Sequence, residues 1–335
     1  MVYFVGIDVS KSTLDIAVVK AGAVIKEEQI SNEKGSLKEF LRSLRHSFNL
    51  SFEEVVVCME HTGIYNYRAL EVFHNSKIKV CLEPALQIKQ SQGMTRGKDD
   101  KVDARRIALY AYKSREQLVF WRPQREIFQK LQALLTVRER LIKAKKQLQV
   151  PLQESVDFVE ASIVKSMKAS SQPVIKAITK QLKELDSKIR TMVELDQEIK
   201  KQYGFATSVP GVGPITALNV IIRTDGFERI KGAKQFACYA GVAPFKHQSG
   251  SSIRGKTRVS KLANMSMKTL FSLGAASAIQ YNEEIKLYYQ RKLAAGKNKM
   301  SVLNAVRNKL ISRIFACVNE QRNYQKEYQY VFIKS

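Results

Sequence analysis

The sequence predicts an α/β N-terminal domain built on a mixed sheet, followed by a coiled-coil helical hairpin and a mainly α C-terminal domain. Three observations predict this order. Strand and helix signals alternate over residues 1–124. Glycine is then absent from Lys98 to Tyr203, where apolar residues recur at steps of three and four. It returns in a strongly basic, helix-patterned remainder, so the boundaries fall at 1–124, 125–202 and 203–335.

"VYFVGIDV", "LDIAVVK" and "AGAVIKEEQI" are β-rich runs separated by turn residues. "SLKEFLRSLRHSF" has apolar residues at helical spacing, with Ser36 as its expected cap. A strand "EEVVVCME", a helix "YNYRALEVFHN" and a strand "KIKVCLEP" follow, then helical stretches ending in "KVDARRIALYAYKSRE". Three strands followed by alternating helices and strands describe a mixed sheet with helices packed on it. Next come Ile127, Leu131, Leu134, Leu141, Leu148 and Leu152, then Ile178, Leu182, Leu185, Ile189, Met192 and Ile199. That is a 3.5-residue repeat. Pro151 and Pro173 interrupt it, which predicts an antiparallel hairpin turning near "SMKASSQP". Its apolar stripes suit each other or another copy of the chain, and periodicity does not choose between them.

Charge is the unusual bulk property. The 335 residues hold 56 Lys and Arg against 31 Asp and Glu, a formal net of +25. Such a balance points to a polyanionic partner. No apolar run approaches the roughly 20 residues of a spanning helix, and no secretory pattern opens the chain. Four cysteines, without metal-ligand spacing, read as buried reduced thiols in a cytoplasmic protein. From Arg229 to Asn282 there are nine Lys or Arg and no acid, which makes the C-terminal third the candidate for sustained phosphate contact.

The candidate catalytic groups are carboxylates. Asp8 closes the first apolar strand and Glu60 closes "EEVVVCME". Taken singly, Asp8 reads as a turn residue. Two buried-strand patterns that both end in an acid are harder to read that way. Asp100 and Asp103, three apart at the start of a helix, share one helical face. Converging carboxylates repel unless a cation lies between them, and hard oxygen donors suit Mg²⁺ or Mn²⁺. Two such ions about 4 Å apart serve phosphodiester chemistry. The bland reading of Asp99 to Asp103 is a helix cap.

The strand order, with "GIDVSKSTLDIAVV", "MEHTGIY" and "GKDDKVDARRIALYA", resembles the ribonuclease-H-like, RuvC-type domain of bacterial DEDD transposases. The pilin-gene DNA invertases resemble the same recombinases. "PGVGPITALNVIIRTDGFERIKGAKQFACYAGVAP" and "HQSGSSIRGKTRVSKLANMSMKTLFSLGAASA" resemble the family's second domain. The resemblance implies metal-binding carboxylates at Asp8, Glu60, Asp100 and Asp103. The family has a small residue where Asp99 stands, so Asp99 and Asp100 both stay open, with the spacing to Asp103 favouring Asp100.

It also implies a serine nucleophile at Ser249, with Ser251 and Ser252 as alternatives. Lys246, Arg254, Lys256, Arg258 and Lys261 would hold phosphate. Without the family, a Ser-Gly-Ser-Ser loop reads as a flexible turn. "VPGVGPITA" is similar to a helix-hairpin-helix turn, with Gly211 and Gly213 presenting backbone N–H groups to phosphate. As partners the resemblance implies donor and target DNA, a structured noncoding guide RNA and a dimer or tetramer in a synaptic complex. The implied place of work is the bacterial cytoplasm, at the nucleoid. The alternatives are a junction-resolving nuclease that uses metal-activated water, a DNA invertase, and a non-catalytic architectural binder.

Overall fold

The computed structural model describes residues 2–91, 100–249, 253–260 and 263–326. The chain forms two compact units, Met1–Pro123 and Gln124–Ser335.

In the first unit, β1 (Tyr3–Val9), β2 (Thr13–Lys20) and β3 (Ala23–Ser31) form an antiparallel meander. α1 (Lys34–Phe48), β4 (Val55–Glu60), α2 (Tyr67–Asn75), β5 (Lys79–Glu83), α3 (Ala85–Gln90) and α4 (Asp100–Lys113) follow. The sheet order is β3-β2-β1-β4-β5, with β1, β4 and β5 parallel. This is the mixed sheet that the alternating pattern predicts. Ser36 does not cap α1: the helix starts at Lys34 behind Glu33, and Ser36 Oγ lies 2.6 Å from Ser31 Oγ instead.

The central strands are apolar on both faces because both are covered. Val5, Ile7, Val57 and Met59 pack with Leu37, Leu41, Leu70 and Phe73 of α1 and α2. Phe4, Ala17, Cys58 and Cys81 pack with Ala104, Ile107, Ala108 and Ala111 of α4. Alanines and cysteines make up half of this second cluster, and α4 sits close. A Cβ on Gly6 would stand 2.2 Å from the Ala108 nitrogen and 2.4 Å from the Ala104 carbonyl oxygen. Only glycine lets strand and helix backbones approach that far.

The second unit is mostly helical. It comprises α5 (Glu126–Glu154), α6 (Ala161–Leu195), α7 (Gln197–Thr207), α8 (Pro214–Thr224), α9 (Ala233–Tyr239), a two-stranded ribbon β6 (Phe245–Ser249) and β7 (Ile253–Arg258), α10 (Met265–Tyr281), α11 (Glu283–Ala294) and α12 (Lys299–Asn319). α8 is sunk in its core with Phe236, Phe271, Leu310 and Phe315. α5 and α6 pair as a helical hairpin, tied by Arg138 Nε donating to Asp186 Oδ1 at 2.6 Å. The turn between them is residues 155–160, not "SMKASSQP", which lies inside α6. Pro151 and Pro173 likewise sit inside helices. A proline removes one helical hydrogen bond, and these long helices run past that loss.

The thiols are free, with Cys58, Cys81 and Cys317 buried. Among the described residues, no helix is long and apolar enough to cross a membrane.

Candidate active site

Alternation along the strands sends Asp8, Glu60 and Glu83 to the α4 face, in step with Gly6, Cys58 and Cys81. Register aligns them. Glu60 pairs with Glu83 across β4 and β5, and Asp8 pairs with Asp15 across β1 and β2. The β1–β4 pairing, carried one residue past Ile7 and Met59, sets Asp8 beside Glu60. The result is a row of four acids, Asp15, Asp8, Glu60 and Glu83, across four adjacent strands.

The sequence reading found two of the four. Asp15 (4% exposed) stands alone in an apolar run, and Glu83 (8% exposed) closes "KVCLE" as Glu60 closes "VVVCME". A third parallel strand that ends in an acid was the available signal. Both buried acids have donors. Gln29 Nε2 donates to Asp15 at 2.9 Å, and the Tyr110 hydroxyl of α4 reaches Glu83 while accepting from Gln87 Nε2 at 2.9 Å. The loop after β4 is stitched down by His61 N–H donating to the Glu83 carbonyl at 3.0 Å and by Asn66 Nδ2 donating to the Glu60 carbonyl at 3.0 Å.

Helix α4 brings Asp103 to this row, and it begins at Asp100. Asp99 lies outside the described residues. Arg106 donates to Asp103 Oδ1 at 2.7 Å, so the acid is held by a neighbour one turn on. Burial, and then the negative charge of Asp103, push the Glu60 carboxyl above its ordinary 4.5. Glu60 and Asp103 therefore feel each other. Among the described residues, no three acids, histidines or cysteines stand close enough to enclose an ion. The donor set is nonetheless carboxylate oxygen throughout, which fits a hard divalent cation and not a soft one.

The raised Glu60 has a measurable consequence. A carboxyl whose folded pKa lies above its unfolded one costs stability where it is ionised. The cost grows as pH rises from about 4.5 through the raised value, and it is absent below. Glu60→Gln should therefore raise the melting temperature of the metal-free protein near neutral pH and leave it unchanged at about pH 4. Melts at the two pH values check this; an equal shift at both would show that charge is not the cause.

In the second unit, Ser249 is the last residue of β6, and register pairs it with Ile253. Gln248 pairs with Arg254, His247 with Gly255 and Phe245 with Arg258. Lys246 lies on β6, and Arg254, Lys256 and Arg258 lie on β7. Gly250, Ser251, Ser252 and Lys261 lie outside the described residues. The turn from α7 to α8 holds both motif glycines. Gly211, at φ +88°, is pressed against Gly274 and Ala278 of α10, where a Cβ would stand 2.5 Å from the Gly274 carbonyl oxygen. Gly213 is exposed at the N-cap of α8 and has open space around it.

Comparison with known proteins assigns the chain. A model described as "Transposase", of the DEDD IS110 type, matches residues 5–159, and "Transposase IS116/IS110/IS902 family" matches residues 205–290. The pilin gene-inverting protein of Moraxella bovis is 24% identical over 326 residues, covering 96% of this chain and 98% of that one. The transposase for insertion sequence element IS1111A of Coxiella burnetii is 24% identical over 252 residues, 68% of each chain. Among solved structures, Thermus thermophilus RuvC in complex with a Holliday junction substrate aligns over 36% of this chain and 100% of that one, at 15% identity and a TM-score of 0.28. Matched in both of its halves by transposase models, the chain belongs to the IS110/IS116 family and is a DNA transposase or recombinase.

Proposed function

We propose that the chain cuts and rejoins DNA strands through a metal-dependent carboxylate cluster and a serine nucleophile. One observation carries this reading: a row of acids across adjacent strands faces Asp103 of α4, whose charge adds to burial in raising Glu60. Asp8, Glu60, Asp100 and Asp103 would hold Mg²⁺ or Mn²⁺. When bound, the ions would supply Lewis-acid stabilisation of charge on the phosphate oxygens. The strand order, with β1 antiparallel to β2 and parallel to β4, supports a ribonuclease-H-like fold of the RuvC type for the first unit.

The serine step balances as a transesterification. Ser249 Oγ gives up its proton as it bonds to phosphorus, the bridging P–O bond of the DNA strand breaks, and the departing oxygen takes up one proton in exchange. In the reverse sense a DNA hydroxyl attacks the phosphoserine and releases Oγ, so bond energy is conserved without ATP. Lys246, Arg254, Lys256, Arg258 and Lys261 would hold the phosphate and offset charge at the pentacoordinate centre. Gly211 and Gly213, in a helix-hairpin-helix turn, would serve backbone contact, with Gly213 at a helix N-terminus. The remaining parts of the proposal are a noncoding guide RNA, an assembly of two or four copies joined through the α5–α6 hairpin as a coiled coil, and work at the bacterial nucleoid. The family resemblance supports them, and the net charge of +25 suits RNA and DNA alike.

Denaturing gels of the full chain with donor and target DNA, the element's RNA and Mg²⁺ test the chemistry by trapping covalent protein–DNA adducts. Ser249→Ala should abolish the adduct and joining while DNA binding persists. Strand joining by Ser249→Ala would sink the serine and leave metal-activated water as the nucleophile, the junction-nuclease chemistry.

A further inference from the structure

We propose that the face of α11 and α12 around Tyr288 binds the phosphodiester backbone of a nucleic acid, an inference that rests on the recombinase reading above. Three cations from two helices gather on one ring. The Arg291 guanidinium lies 5.9 Å from the Tyr288 centroid, Lys292 Nζ 5.9 Å and Lys309 Nζ 4.7 Å. Each is attracted to the ring face, but like charges brought this close disfavour one another. Among the described residues, none of the three is in an ion pair.

The sequence on either side of the ring does not supply the missing charge beyond Glu283 and Glu284 in the first turn of α11. From Ile285 to Asn319 the chain holds eight Lys or Arg and no acid. Glu284, just ahead, is taken by Arg313 at 2.5 Å and by the Tyr324 hydroxyl at 3.0 Å. Arg307, 5% exposed on α12, donates to Asn304 Oδ1 at 3.1 Å, and its Nε has no partner. A further buried charge on this helix thus has no counter-ion within the described residues. Clustered cations without acids call for an anionic partner, and a nucleic-acid backbone supplies one charge per phosphate. With its face covered by cations, Tyr288 is not a free platform for stacking bases, so the contact is to phosphate and carries no sequence readout. Arg291, Lys292 and Lys309 all lie beyond residue 290, where the second family match ends.

The test is the salt dependence of binding by the full chain, with duplex DNA in one arm and single-stranded RNA of equal length in the other. The triple variant Arg291→Gln, Lys292→Gln, Lys309→Gln should flatten the slope of log K against log salt by about 2–3 in the arm that carries the true ligand, at roughly 0.9 per phosphate on duplex DNA and 0.7 on single strands. The affected arm names the source. Lys309→Gln alone should remove about one phosphate's worth. The control is Lys165→Gln, Lys168→Gln, Lys176→Gln on α6, which removes the same charge from exposed positions. An unchanged slope in both arms overturns the proposal. So does an equal loss in the control, because net charge would then be sufficient. If the wild-type chain binds neither nucleic acid, the recombinase reading itself fails, and this face falls with it.

Discussion

Asp8→Asn should lower strand cleavage by roughly a thousandfold or more and leave the protein folded. Metal-assisted stabilisation of phosphate charge is worth several kcal/mol, and about 4 kcal/mol corresponds to three decades of rate. Asparagine keeps the shape and one acceptor oxygen of aspartate but withdraws the negative charge that holds a cation. Asp8 lies in register with Asp15 and beside Glu60, so it contributes to both halves of the acidic row. Removing one charge from a row of like charges does not weaken folding by repulsion, so stability should stay within about 1 kcal/mol of wild type. Cleavage of labelled donor DNA and thermal melts, measured together, check both statements. Full cleavage by Asp8→Asn would remove the aspartate from the chemistry. A collapsed melt would make it a folding residue instead.

Gly6→Val should destabilise the first unit by about 3 kcal/mol or more and abolish metal-dependent cleavage with it. Overpacking a core ordinarily costs about 1–3 kcal/mol because neighbouring side chains can yield. Here the obstructing atoms are the Ala108 nitrogen at 2.2 Å and the Ala104 carbonyl oxygen at 2.4 Å, and helix backbone cannot rotate away. The relief available is to push α4 off the sheet, and α4 carries Asp103. Even Gly6→Ala should suffer in kind. A fall of more than about 10 °C in melting temperature would fit this loss. Gly35→Ala is the matched control. It lies in α1 with nothing within 4 Å of its would-be Cβ, so alanine there should be neutral or stabilising by up to about 1 kcal/mol. Equal tolerance at both glycines would refute the close approach of α4.

Much of the first unit was legible because its signals are local. Apolar runs of strand length, broken by turn residues, announced β1 to β5, and the acids that end them announced Asp8 and Glu60. Asp103 was legible through its spacing to Asp100. Asp15 was not, because one acid inside an apolar run looks like a surface residue until register puts it beside another, whereas Glu83 closes β5 as Glu60 closes β4 and carries the same signal. Gly6 was invisible for a related reason. Between Val5 and Ile7 it reads as a weak spot in a strand, and its purpose appears only when α4 is laid across it. The hairpin shows a misleading local signal. Pro151 and Pro173 read as terminators, yet both are inside helices, and the turn falls between them at residues 155–160. The strands β6 and β7 on either side of the Ser-Gly-Ser-Ser stretch carry no mark in the sequence, because short polar runs such as "FKHQS" and "IRGKTR" lack the apolar alternation that signals strands.

The contact at Gly6 also has a mechanical meaning. Most strand–helix interfaces are cushioned by side chains, which hop between rotamers and let the two elements slide by fractions of an ångström. Between β1 and α4 that cushion is missing at its centre, and main chain rests on main chain. Asp8 and Asp103 therefore ride on one stiff body, with their separation fixed by backbone thickness. Compliance during successive strand transfers has to come from parts of the molecule outside this joint.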